Sequence, residues 1–133
     1  MLKSIFEKYK DYLYLVFRVL VGLLFFQHGA QKLLGWFGSK GTVQLFSLMG
    51  LAGVLELVGG TLIALGILTR LTSLITSIEM LSAYFMMHSS KSLIPIMNGG
   101  ELALLYFASF LILIIYGSGR FGIEKLIFKK ELL

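Results

Sequence analysis

Read from one end to the other, the chain alternates long apolar runs with short polar ones, and four of the runs are long enough to be helices that cross a bilayer. Residues 102–119 are 18 positions without a charge, and residues 45–69 hold Glu56 as their only one. Such lengths suit ~30 Å of hydrocarbon. The pattern predicts an all-α chain with helices at about 13–34, 51–68, 71–88 and 101–116. Residues 69–72 leave too short a turn for anything but an antiparallel hairpin between the second and third helices. In residues 1–12, Ile5, Phe6, Tyr9 and Tyr12 recur at helical spacing against Lys and Glu, which predicts a lead-in helix lying on the membrane surface. The stretch GSKGT at 38–42 is the clearest turn signal, and a short interfacial or re-entrant helix is expected at 43–49. Within the second helix Gly53, Glu56, Gly60 and Ala64 share a small-residue face suited to close helix packing. The less apolar face of the third helix carries Thr72, Thr76, Glu79 and Ala83.

Composition agrees with this reading. Of 133 residues 57% are hydrophobic and 14% charged, too few polar groups to coat a soluble domain of this size. The chain reads as one integral membrane domain over 1–133, with the bilayer as its principal partner. A net charge of +5 changes the picture only through its distribution. Eight basic residues (Lys3, Lys8, Lys10, Arg70, Arg120, Lys125, Lys129, Lys130) fall on one side of the expected topology and three (Lys32, Lys40, Lys91) on the other, which places both termini in the cytoplasm. No basic recognition face for nucleic acid stands out. The absence of cysteine excludes thiol–disulfide chemistry and cysteine-ligated clusters. Arg18 interrupts the first apolar run and no small-residue cleavage site follows, so that run is expected to be a helix and not a signal peptide.

The candidate chemistry lies in the ionisable residues within the helices, which are expensive in a bilayer unless they meet partners. Counted from the cytoplasmic ends, Arg18 and Glu79 fall ~4 to 5 Å apart in height, so a buried structural ion pair is expected between them. Toward the outer ends His28, Lys32, Glu56, His88, Asn98 and Glu101 converge on one level. There His28 with Glu56 or Glu101 forms a carboxylate–imidazole pair suited to moving one proton. Glycines beside them, Gly60 among others, either draw helices together or leave room for a ring-sized ligand. No Glu precedes a His by three residues, so the spacing of a metal-binding bundle is missing and no metal is expected.

Four pieces, FFQHGAQKLLG, GVLELVGGTLIALGILTR, NGGELALLY and GSGRFG, occur in this order between Leu15 and Gly122, and in that order they resemble the DoxX family of small four-helix membrane proteins. The resemblance rests on His28, Gly29, Lys32, Glu56, Gly59, Gly60, Thr69, Arg70, Asn98, Gly99, Gly100 and Glu101. It implies an antiparallel up-down four-helix bundle in a bacterial or archaeal plasma membrane. It also implies relatives that act as the membrane subunit of thiosulfate:quinone oxidoreductase or in quinone- and thiol-stress systems. On that reading the chain is a quinone-linked redox membrane subunit. His28, Glu56 and Glu101 would exchange protons, and Gln27, Lys32, Gly60, His88 and Asn98 would bind the ligand. No redox centre is encoded, so electrons would come from a soluble redox partner protein or from a substrate that reacts with the quinone directly. The alternative is a non-enzymatic membrane scaffold or assembly partner, and a homo-oligomer is a further expectation. The last piece departs from the family, which commonly continues Ser-Leu-Asp where this chain has Gly122, Ile123 and Glu124, so the anchoring of the tail does not carry over.

Overall fold

The computed structural model describes residues 1–133 and contains helices and no strands: α1 (Leu2–Leu34), α2 (Leu48–Leu65), α3 (Thr69–Met87), α4 (Pro95–Asn98), α5 (Glu101–Tyr116) and α6 (Ile123–Phe128). Both α1 and α2 are long and apolar enough to cross a membrane. The third helix is less apolar because its buried side carries Thr72, Ser73, Thr76 and Ser77.

Two expected elements differ. The lead-in segment is not a separate surface helix, because α1 runs unbroken for 33 residues. Neither Gly nor Pro interrupts residues 2–21, and a helix ends only where something stops it. At ~1.5 Å per residue α1 is about 50 Å long, well beyond ~30 Å of hydrocarbon, and its residues 2–10 are exposed. The helix expected at 43–49 does not form either. Gly35, at φ 70°, closes α1. The chain then runs through turns at 37–38 and 45–46 until Ser47 caps α2 by accepting the Gly50 N–H at 3.0 Å.

Helix α1 lies antiparallel against α2 with the two backbones touching. A β-carbon at Gly22 would meet the backbone of Gly60 and Ala64, one at Gly29 the backbone of Gly53 and Leu57, and one at Gly60 the backbone of Gly22 and Phe26. The small-residue face read from the sequence is therefore a seam between these two helices, and its glycines are required by contact. In lipid, where burying apolar surface drives little, such close packing is a main source of helix adhesion. Helix α5 returns along α3, and α3 meets α2 near their hairpin, where Gly59 faces Thr72 and Thr76. Phe25 is wholly buried at the centre, 4.9 Å from the ring of Phe110 and 5.1 Å from that of Tyr106.

The distribution of side chains is the reverse of a soluble domain's. Ten polar or charged residues are buried against nine hydrophobic ones, while leucines, isoleucines and phenylalanines crowd the outside. A surface of that kind belongs in hydrocarbon.

Candidate functional site

Polar groups gather at two levels. At the end that holds the 66–68 turn and both termini, they cap helices. The last carbonyls of any helix lack intrahelical partners, and a cation is favoured there by the helix dipole. Arg18 answers both demands for α2: its Nη1 donates to Ile63 O at 2.7 Å and Ala64 O at 2.6 Å, and its Nη2 to Phe121 O at 3.3 Å. Arg70 does the same for α5, donating to Ile114 O and Ile115 O, each at 2.7 Å. Tyr14 donates to Gly117 O at 2.6 Å. Carboxylates serve the free N–H groups: Glu124 accepts from Leu68 N at 2.9 Å, and Glu131 from Ser118 N at 2.6 Å. The tail is thus anchored by Glu124 at the place where the sequence departs from the family motif.

This network corrects the expected Arg18–Glu79 pair. Arg18 is held by carbonyls, and neither oxygen of Glu79 has a protein partner. The expectation failed because heights were counted from residue 13, whereas α1 begins eleven residues earlier and Arg18 lies level with the end of α2.

The second level is a cavity of about 700 Å³ between α1, α2, α3 and α5, away from the 66–68 turn. Phe25, Met80 and Tyr106 form its inner wall, and the helices supply His28, Lys32, Glu56 and Glu79, with His88 and Lys91 toward the loop. Leu51, Ile75, Ile78 and Met86 line it and are exposed, so it opens sideways through the apolar flank of the molecule. Lys32 Nζ lies 2.5 Å from Glu56 Oε1, while Glu56 Oε2 is buried without a partner. The His28 ring stands edge-on to Tyr106, with centroids 5.7 Å apart. The expected carboxylate–imidazole pair is absent, because Lys32, one turn from His28 on the same helix, takes Glu56 instead. An ammonium and two carboxylates facing one apolar chamber can donate hydrogen bonds to a ligand oxygen and can exchange protons with it.

Four other expected site residues lie elsewhere. Glu101 is exposed at the first turn of α5 and does not line the cavity, since its side chain follows the helix surface outward. Gln27 faces outward, one residue away from the cavity side of α1. Gly60 is buried in the α1–α2 seam, where it admits the neighbouring backbone and no ligand. Asn98 is fully occupied with the 88–100 loop: its amide donates to Tyr84 Oη at 3.1 Å and Ser92 O at 2.9 Å, and its Oδ1 accepts from Gly100 N at 2.7 Å. His88 lines the cavity, with Nδ1 3.1 Å from Asn98 O.

Sequence reasoning missed Glu79 and Tyr106 as cavity residues. A signal for Glu79 was present: Glu56 stands ten residues before Gly66 and Glu79 ten residues after Thr69, so the hairpin carries both to one height. Tyr106 gave none, sitting in a uniformly apolar helix.

The DoxX family profile matches residues 13–89, which contain Lys32, Glu56 and Glu79. An uncharacterized protein of Haemophilus influenzae is 40% identical, covering 93% of this chain and 97% of its own length. Inner membrane protein YqjF of Escherichia coli is 35% identical over 93% of this chain and 98% of its own. A Bacillus subtilis protein provisionally named oxidoreductase CatD is 29% identical, over 86% and 87%. No solved structure matches the chain.

Proposed function

The chain belongs to the DoxX family of membrane proteins, and from that premise we propose that α1, α2, α3 and α5 cross a bacterial plasma membrane as an antiparallel four-helix bundle whose cavity binds the head group of a quinone. The basic residues put both termini on the cytoplasmic side. One observation carries the ligand reading: a chamber of about 700 Å³ opens through the apolar flank and holds carboxylate oxygens of Glu56 and Glu79 without protein partners.

The residues fit such a molecule. Phe25, Met80 and Tyr106 offer an apolar wall to a ring, and the exposed Ile75, Ile78 and Met86 offer a lipid-side path for an isoprenoid tail. A quinone supplies two-electron, two-proton redox chemistry when bound. Lys32, held in place by Glu56, donates a hydrogen bond to a ring oxygen, and Glu56, Glu79 and His28 hold the protons to be exchanged. Electrons come from a soluble redox partner or from a substrate, since the chain encodes no redox centre.

The Lys32–Glu56 contact supports a second reading, because it bridges α1 and α2 beside the Gly29 crossing and so latches the two helices as a scaffold would. Mass spectrometry of an organic extract of the purified protein separates the two. Binding predicts a retained quinone that is lost from Glu79→Gln and Lys32→Met proteins that keep their fold. A clean extract from protein purified in native lipid would leave the scaffold reading standing.

A further inference from the structure

Seven buried side-chain nitrogen or oxygen atoms have no protein hydrogen-bond partner: Arg18 Nε, Glu124 Oε1, Thr69 Oγ1, Ser73 Oγ, Glu56 Oε2 and both oxygens of Glu79. Scattered defects would fall anywhere in the molecule. Five of the seven, those of Glu124, Thr69, Ser73 and Glu79, fall along one line. Glu124 grips Leu68 N, Thr69 is the next residue, and Thr69, Ser73, Thr76 and Glu79 climb α3 from the turn to the cavity. Along the axis the steps are about 6 Å, 4.5 Å and 4.5 Å at ~1.5 Å per residue. One or two bridging waters span steps of that size, and polar atoms buried in a folded protein find such partners. Thr69 and Ser73 are both wholly buried, so the hydroxyls do not face lipid.

We propose that α3 carries a proton track from Glu124, at the end that holds both termini, through Thr69, Ser73 and Thr76 to Glu79 in the cavity. Each hydroxyl accepts a proton from one side and releases one to the other, Thr76 by turning its O–H away from Thr72 O, to which it donates at 3.0 Å. In sum the Glu124 carboxyl gives up one proton, which it regains from the adjoining aqueous phase, and the Glu79 carboxylate gains one. Glu79 shares the chamber with Glu56 from α2, His28 and Lys32 from α1 and Tyr106 from α5. Glu124 lies below, at the end where Arg18 binds Phe121 O. The track deepens the quinone reading by naming the side from which the cavity is supplied, and its geometry does not depend on which ligand binds.

The test uses the full chain, oriented in phosphatidylcholine–phosphatidylglycerol vesicles, with no quinone added. Infrared difference spectra record the carboxyl stretching band that Glu79→Gln removes. A pH jump on the side of the termini is expected to change that band quickly, and a jump on the opposite side slowly. Ser73→Val and Thr76→Val each slow the fast response by a factor of about ten or more, on the scale of one lost hydrogen bond. Ser73→Thr restores it, and Thr61→Val, whose exposed hydroxyl bonds Leu57 O on α2, leaves it unchanged. Thr76→Val conserves shape and serves where Ser73→Val does not fold. Equal response from both sides, or unaltered rates in both valine variants, overturns the track. Retention of quinone in extracts reports on the cavity alone, so either proposal can fail without the other.

Discussion

The two ends of the molecule use the same residue types and put them to opposite ends. Near the 66–68 turn, Arg18, Arg70, Tyr14, Glu124 and Glu131 all bond to backbone. Around the cavity, Lys32 and Glu56 bond only each other, and Glu79 bonds nothing in the protein. The difference follows from helix geometry. Backbone groups are free only in the first and last turns, so a charge that reaches such a turn, as Arg18 does from the middle of α1, becomes a cap. Glu56 and Glu79 sit in mid-helix, where every carbonyl and N–H is already committed, and a charge there must look to another side chain, to water or to a ligand.

Substitutions at the two ends are therefore expected to differ in cost. The largest loss is expected from Arg18→Leu, which strips the carbonyls of Ile63, Ala64 and Phe121 of their donor and costs about 3–5 kcal/mol on the scale of several charge-assisted bonds. Urea unfolding in detergent micelles measures it, and a loss under ~1 kcal/mol would mean that the cap is ornamental. Next comes Gly29→Val, whose side chain meets the Leu57 backbone and forces the α1–α2 seam apart, lowering stability by about 1–3 kcal/mol or more. Thermal melting followed by circular dichroism checks this, with Leu23→Val on the exposed side of α1 as a control. Glu124→Ala leaves the Leu68 N–H without its acceptor and is expected to cost about 1–3 kcal/mol. Hydrogen exchange at Leu68 should quicken while exchange at Glu56 stays as it was.

The smallest effect discriminates most. Glu79→Gln alters a buried carboxyl group that no protein group hydrogen-bonds, so stability should stay within about 0.5 kcal/mol or rise. If it falls as far as with Arg18→Leu, Glu79 is a structural group and the two ends are alike.

Much of the fold was legible because apolar length and glycine spacing are properties of the chain alone. The face carrying Gly53, Gly60 and Ala64 and the ends of the helix at 101–116 could be read directly, and so could the α2–α3 hairpin, although its turn, expected at 69–72, lies at 66–68. Partners were harder to read, since they depend on the relative heights of helices. Heights counted from the first apolar residue misplaced Arg18, because Lys and Glu in residues 2–12 are compatible both with a surface helix and with the same helix continuing out of the membrane. Asn98 and Glu101 share a motif with Gly99 and Gly100, yet one turns inward to fasten a loop and the other outward. That choice is made by backbone angles at the two glycines, φ 75° and −96°, which residue types do not display.

The Glu124 clasp also sets an order of events during synthesis. Glu124 lies 56 residues after the N–H it receives. At ~5–20 residues per second, roughly 3 to 11 seconds pass between the emergence of the α2–α3 turn and that of its clasp. Over that interval Leu68, held at φ 48°, has no carboxylate to steady it. Until the tail arrives the hairpin rests on other contacts, among them Gly59 with Thr72 and Thr76 and Arg18 with the last carbonyls of α2.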